Sequence, residues 1–268
     1  MKRRLPILFL SIIVVSCTPF LLMKLGEKGN PYAMHTDLRY LPPGQHFYFG
    51  TDSLGRNMTA RSLYAAGLSF KVALESSALS LVLALILGGT AGYTYGKWPE
   101  KMISWLVSFA YTVPMMFIVV AVFAVVEPGI ERAYLVIGCI GWVAPARLVR
   151  AEVVRLRSSP FVRAERAFGK SEVGVFTSCI LPLCFQPAIT SSLYYLPELI
   201  GLEVGLSFFG LSAQPPTPTL GRLIFDSLKE FPSAWWLALL PFTLLLLMII
   251  ILYTFAQIVD KRKEGYKL

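Results

Sequence analysis

Charge is scarce in this sequence: Asp, Glu, Lys and Arg together make up 15% of its 268 residues. With 55% hydrophobic residues and a mean hydropathy of +0.61, the chain is too apolar for a soluble domain of this size. A membrane protein is the class that remains. Acidic residues are scarcer than basic ones, 16 against 25, which leaves a net charge of +9. Such an excess would suit nucleic acid, but the basic residues lie in short clusters beside apolar runs and not on one soluble face, so nucleic acid is not an expected partner. Histidine is rarer still: His35 and His46, both in one hydrophilic loop, read as solvated side chains. The four cysteines (Cys17, Cys139, Cys179, Cys184) lack the loop-borne spacing of a disulfide framework and are expected to be small buried hydrophobes. Cys179 and Cys184 form a C-x4-C pair with no further ligand nearby, so no metal site is expected.

Long apolar runs are what the chain has instead. Six of them, roughly 5–23, 72–95, 102–126, 132–150, 186–212 and 234–258, reach the ~20 residues that a bilayer-crossing helix needs. They are continuous, not alternating over about ten residues, which excludes a transmembrane β-barrel. The expected class is an all-α polytopic membrane protein with six transmembrane helices. With the N terminus placed in the cytoplasm, sixteen Lys and Arg residues fall on the inner side and eight on the outer, with Lys71 at a span edge. Both termini are then cytoplasmic. The expected organisation is an N-terminal segment and first span over 1–23, an external loop over 24–71, a five-span core over 72–258 with a cytoplasmic loop at 151–185, and a cytoplasmic tail over 259–268.

The first run has a second reading. MKRRLPILFLSIIVVSC resembles a signal peptide ending in a loose lipoprotein box at Val14-Val15-Ser16-Cys17, and cleavage there would leave five spans. Apolar sequence continues through Thr18 to Met23, beyond the usual length of a signal's apolar region, which favours a retained span. In the second run Ala84, Gly88, Gly92 and Gly96 recur every four residues, a stripe that lets another helix approach closely. Pro114, Pro145, Pro182, Pro197 and Pro241 are expected to kink or start spans.

Between the fourth and fifth runs lies FVRAERAFGKSEVGVFTSCILPL, residues 161–183. Ser159 suits an N-cap, Pro160 the first helical position, and Gly169 the left-handed residue that ends a helix. Phe161, Ala164 and Phe168 then share one face, with Arg163 and Arg166 turned elsewhere. Three readings compete: a solvated or lipid-surface loop whose arginines hold topology, a nucleotide site suggested by Gly169-Lys170-Ser171, and a helix that docks a cytoplasmic partner. The nucleotide reading fails, because a phosphate loop needs glycine where Ala164 stands and a preceding strand. A helix this short is marginal in water and needs something to dock against.

Three motifs carry a resemblance. Val162, Ala164, Arg166, Ala167 and Gly169, followed at fixed distance by Ile180-Leu181-Pro182, resemble the cytoplasmic loop V-E-A-A-R-A-L-G … I-L-P of the dipeptide, oligopeptide and nickel branch of ABC importer permeases. Arg163 stands where that family commonly has Glu, and Glu165 where it has a second Ala. Phe49-Gly50-Thr51-Asp52-Ser53-Leu54-Gly55-Arg56-Asn57 resembles F-G-T-D-x-x-G-R-D, with Asn57 replacing Asp. Leu206 to Gly221 resembles L-S-F-L-G-L-G-x-Q-P-P-T-P-S-W-G. The local chemistry accounts for part of each block: Gly50-Thr51-Asp52 reads as a turn and helix cap leading to Met58, and Gln214 to Pro218 as a stiff extended connection. The C-terminal tail lacks the Gly-Asp-rich ending common in relatives.

The resemblance implies a type I importer permease in the bacterial inner membrane, working with a second homologous permease, two cytoplasmic ATPase subunits and an external substrate-binding protein. It implies that Pro160, Phe161, Val162, Arg163, Ala164, Glu165, Arg166, Ala167, Phe168, Gly169 and Lys170 couple the permease to an ATPase. It marks Gly50, Thr51, Asp52, Gly55 and Arg56 as an external motif. No nucleophile, base and orienting residue assemble in the sequence, so no catalytic residue and no bound cofactor or metal is expected; ATP and Mg belong to the ATPase subunits. Glu203, which matches a family glutamate, and Glu198 fall in the fifth run and are expected to face protein and not lipid, on different helix faces, serving either packing or a translocation pathway. Peptide is the implied substrate, with nickel or a metal chelate as the alternative. A secondary carrier, which would show internal repeats and midplane charges, and a non-transporting scaffold are the rivals from other classes.

Overall fold

The structure is a computed structural model that describes residues 5–231 and 233–264, with side chains described for 17–231 and 233–260. The Lys and Arg residues at 2–4 and the last four residues of the expected tail lie outside the described residues. Helix accounts for nearly all of the regular structure: α1 Leu5–Lys28, α2 Met58–Tyr93, α3 Trp98–Thr112, α4 Met115–Phe123, α5 Ile130–Gly141, α6 Val143–Arg157, α7 Pro160–Ala167, α8 Glu172–Val175, α9 Leu181–Phe208, α10 Leu220–Leu228 and α11 Trp236–Glu264. Four helical stretches among the described residues are long and apolar enough to cross a membrane: Met58–Tyr93, Ile130–Arg157, Glu172–Phe208 and Trp236–Asp260. Counting the pair α3 and α4 as one broken span makes five.

Several expected boundaries move. The hydrophilic stretch set at 24–71 shrinks, because α1 continues to Lys28 and α2 already starts at Met58. The third run is not one straight helix: α3 and α4 meet at 91° around Pro114. The residue before a proline is pushed out of the helical region, and Val113 is extended at φ −104°, ψ 124°. Pro182 does not begin the fifth span. Helix runs from Glu172 through a π-helical turn at Phe176–Ile180 into α9. Gln214 to Pro218 is a turn and not an extended strut, with a cis Pro215-Pro216 bond and the Thr217 amide donating to the Gln214 carbonyl at 3.2 Å.

The chain forms two compact units. The first, Met1–Leu74 with Phe123–Tyr134 and Pro197–Leu268, contains the close crossing of α1 and α2. There a β-carbon on Gly26 would lie 2.6 Å from the Tyr64 amide nitrogen, and one on Gly67 2.6 Å from the Pro19 carbonyl oxygen. The second, Glu75–Val122 with Leu135–Leu196, is built on the C-terminal half of α2. Ala84 packs with Trp142, Val143 and Ala146. A β-carbon on Gly88 would meet the Ala146 carbonyl oxygen at 2.4 Å, and one on Gly92 the Arg150 carbonyl oxygen at 2.8 Å. The small-residue stripe therefore brings α2 and α6 into backbone contact, as expected of intramolecular packing. Gly96 is no part of it: it follows the helix end, at φ +84°, with open space around it.

The cysteines divide. Cys184 is buried in the core of the second unit, Cys179 is half-buried, and Cys17 and Cys139 are exposed, against the expectation that all four are buried. Long spans in a single chain present most of their apolar surface outward, so a cysteine in an apolar run need not be internal.

Candidate functional site

The segment from α6 to α9 lies within the second unit and is built by local rules first. Ser158 ends α6, Ser159 is extended at φ −69°, ψ 151°, and Pro160 occupies the first turn of α7. Ser159 holds the N-cap position by its backbone, but its hydroxyl donates back to the Leu156 carbonyl at 2.5 Å and does not cap α7 as expected. The other end closes by a Schellman arrangement: the Lys170 amide donates to the Glu165 carbonyl at 3.2 Å and the Gly169 amide to the Arg166 carbonyl at 3.0 Å. Gly169 takes φ +82°, the left-handed geometry this ending requires.

An eight-residue helix does not stand by itself. One side chain anchors α7: Val162 is fully buried among Leu156, Val175, Ile180 and the lower part of α6. The face that the sequence marks as apolar points the other way. Phe161 is 42% exposed, Phe168 89%, and Ala164 and Ala167 are exposed beside them. Arg163 is exposed as well.

Polar contacts tie down the flanks. Lys170 bonds the Glu165 carboxylate at 2.9 Å and the Cys179 sulfur at 3.2 Å, and these partners, Glu165 first, raise its ammonium above the usual lysine range. Arg166 donates through Nε to the Glu172 carboxylate at 3.0 Å and through a terminal nitrogen to the Tyr93 hydroxyl at 3.5 Å. Its guanidinium is raised above the ordinary arginine value, chiefly by the Tyr93 bond. The two departures from the family pattern thus have separate fates: Glu165 is satisfied inside the loop by Lys170, and Arg163 is left facing outward.

The external motif lies in the first unit and makes a tight polar turn. The Thr51 hydroxyl donates to the Leu38 carbonyl at 2.5 Å and accepts from the Leu41 amide at 2.9 Å. Asp52 Oδ1 accepts from the amides of Leu54 and Arg56 at 2.9 and 3.0 Å, while Oδ2 meets Arg56 Nε at 2.7 Å and Arg61 Nε at 3.4 Å. A β-carbon on Gly55 would sit 1.8 Å from the His35 carbonyl oxygen, so glycine is required there by contact as well as by its φ of +70°. Gly50 is likewise left-handed and packed against Trp236, whose indole donates to the Thr51 carbonyl at 3.4 Å. The cap of α2 is not Gly50-Thr51-Asp52, as expected, but Asn57, whose Oδ1 accepts from the Thr59 amide at 2.9 Å. Beside this turn is a cavity of about 230 Å³ lined by Asp52, Arg56, Arg61, Tyr40, Asp226 and Glu230. Tyr40 donates to Glu230 at 2.8 Å, and burial, then Glu230, pushes its phenol above the ordinary tyrosine value.

Glu203 is fully buried in the first unit, accepting from Ser207 at 2.6 Å and Ser212 at 3.0 Å. Glu198 is exposed on the surface of this chain. The two carboxylates do lie on different faces of α9.

Residues 80–265 match the family described as binding-protein-dependent transport system inner membrane component. The chain belongs to this family. The di/tripeptide transport system permease protein DppC of Pseudomonas aeruginosa (strain UCBPP-PA14) is 30% identical over 227 residues, covering 82% of this chain and 75% of that protein. The dipeptide transport system permease protein DppC of Alkalihalophilus pseudofirmus is 30% identical, over 86% of this chain and 74% of its own length. The oligopeptide transport system permease protein OppC of Mycobacterium bovis is 28% identical, over 78% and 72%. This permease is a multi-pass protein of the bacterial inner membrane, and its family is one of transport components, not enzymes.

Within the permease, the structure gathers Pro160 to Lys170 into one clamped helix with its closing turn, and Gly50 to Arg56 into one turn. It keeps Glu198 apart from Glu203. Sequence reasoning missed Tyr93 and Glu172 as partners of Arg166, since a tyrosine at the end of an apolar run reads as an ordinary interfacial side chain.

Proposed function

We propose that this permease is a membrane subunit of an ATP-driven peptide importer, with six spans and both termini cytoplasmic. It works with a second homologous permease, two ATPase subunits that bind the ATP and Mg, and an external substrate-binding protein. The family assignment and the peptide transport named in its relatives support the reading. The observation that carries it is the outward apolar face of α7: Phe161, Ala164 and Phe168 stand in solvent on a helix whose opposite side is pinned by Val162. Exposing aromatic surface is costly unless a partner covers it.

In this mechanism α7 seats on one ATPase. ATP binding draws the ATPases together and supplies the differential stabilisation of two transporter states, and α7 passes the displacement to the spans. Glu198, exposed on an apolar helix, faces the water of the pathway or the second permease, because a carboxylate in lipid costs about 2.5 kcal/mol or more. Glu203 serves packing at the end of α9.

The test is copurification of the ATPase with the permease, together with uptake of labelled dipeptide and of nickel by cells carrying each variant. Ala164→Trp is expected to abolish copurification and dipeptide uptake. Retention of both would refute the docking assignment, and nickel uptake without dipeptide uptake would refute the substrate.

A further inference from the structure

The docking reading leaves open how motion of α7 reaches α2, to which it has no short covalent link. Covalently, α7 continues α6 through Ser158 and Ser159, and it leads through α8 into α9. Besides the apolar cluster that Val162 shares with Leu85 of α2, a polar route runs from α7 to α2 through Tyr93, the last residue of that helix. The Tyr93 hydroxyl bonds the Glu172 backbone oxygen at 2.9 Å and also the Glu172 carboxylate. Arg166 of α7 holds the same carboxylate through both Nε and a terminal nitrogen, at 3.0 and 3.2 Å, and reaches the same hydroxyl. Arg157, the last residue of α6, donates to the Tyr93 carbonyl oxygen at 2.8 Å. One residue at the end of α2 is thus bonded to α6, α7 and α8 together. Its ring lies on Phe176 with centroids 5.0 Å apart, and Phe176 in turn sits against Gly89, where a β-carbon would come within 3.1 Å of the Phe176 ring.

We propose that Tyr93 is a positioning residue for coupling, the link by which displacement of α7 is passed into the C-terminal half of α2. The proposal rests on the reading of α7 as the ATPase-docking helix. Two features favour a link over simple packing. The bonds to Glu172 and from Arg166 are charge-assisted, and so stronger and more directional than neutral ones. They also converge on the hydroxyl, the one part of Tyr93 that the ring's contact with Phe176 does not need. Apolar contact alone would let α7 slide across the end of α2 when pushed. The hydroxyl fixes the register of the two.

The test uses the complete transporter in proteoliposomes, with its ATPases and binding protein, and measures peptide transported per ATP hydrolysed. Tyr93→Phe keeps the ring on Phe176 and removes the hydroxyl. The ratio is expected to fall by about fivefold, the lower end of typical coupling between sites. The unfolding midpoint stays within about 2 °C, and the amount of ATPase that copurifies is unchanged. A merely structural role would lower the midpoint and the copurified ATPase and leave the ratio alone, and that result overturns the proposal. So does an unchanged ratio. Ala164→Trp, measured in parallel, separates the two claims: if it has no effect on copurification, the docking reading fails; if it abolishes copurification while Tyr93→Phe keeps the wild-type ratio, only the role of Tyr93 fails.

Discussion

Replacing Val162 with alanine tests whether α7 is held by one buried side chain. Val162 is fully buried against Leu156, Val175 and Ile180. The substitution removes two methyl groups from that cluster, worth about 1.6 kcal/mol in transfer free energy, and the remaining cavity adds to this, for about 2 kcal/mol or slightly more. If α7 opens as a local unit, 2 kcal/mol raises its open population by about 30-fold. Trypsin reports this directly, because Arg157, Arg163, Arg166 and Lys170 all lie in or beside the segment. In detergent-solubilised permease without ATPase, the cleavage rate in this segment should rise by about 10- to 30-fold for Val162→Ala. Phe168→Ala is the matched comparison: at 89% exposure its loss should cost under about 0.5 kcal/mol and leave cleavage within about twofold of wild type. Equal cleavage of Val162→Ala and wild type would refute the single-anchor account, as would an equal rise for Phe168→Ala.

Substitutions at two further positions probe local geometry. Gly169 has open space around it, so only its left-handed backbone limits replacement. Gly169→Asn should keep tryptic protection of the segment near wild type, while Gly169→Val should lose about 1–2 kcal/mol of local stability; identical protection in the two variants would count against the Schellman ending. Asp52→Asn keeps the acceptor for the Leu54 and Arg56 amides but removes the charge facing Arg61, which is 4% exposed. Arg61 then keeps the Pro31 carbonyl and the attraction of Asp226 but loses the carboxylate at its Nε, which should cost up to about 3 kcal/mol and lower the detergent unfolding midpoint; an unchanged midpoint would show that Arg61 does not depend on Asp52.

The legible parts of the site were those coded by short-range chemistry. Pro160 at a helix start and Gly169 at its end act through their own backbone preferences, and both did as the sequence indicates. The direction in which α7 faces was not legible. Val162 and Phe161 are adjacent in sequence, and helical spacing alone makes Phe161, Ala164 and Phe168 the better apolar stripe. Which side meets the protein is decided by Val175 and Ile180, which arrive only after α8 and the π-helical turn fold back. Asn57 shows the same limit from the other side. As the replacement for an expected Asp it reads as a departure, yet its amide oxygen caps α2 as a carboxylate would. Gly96 kept the four-residue rhythm of Ala84, Gly88 and Gly92, but a rhythm cannot show where a helix stops.

The altered charge order of α7 acquires a physical meaning from this geometry. A glutamate at position 163, as in the family pattern, would present a negative group beside the exposed aromatic face. Here Arg163 presents a positive one, and the carboxylate has moved to Glu165, where Lys170 holds it within the loop. The loop's own fold therefore tolerates the exchange, since neither residue is left buried and unpaired. What changes is the sign of charge at the rim of the outward surface. Rim charges govern partner choice and association rate more than the strength of a docked contact. If α7 docks an ATPase as proposed, the departures at 163 and 165 bear on which ATPase is accepted, while Phe161, Ala164 and Phe168 supply the surface that such a partner would cover.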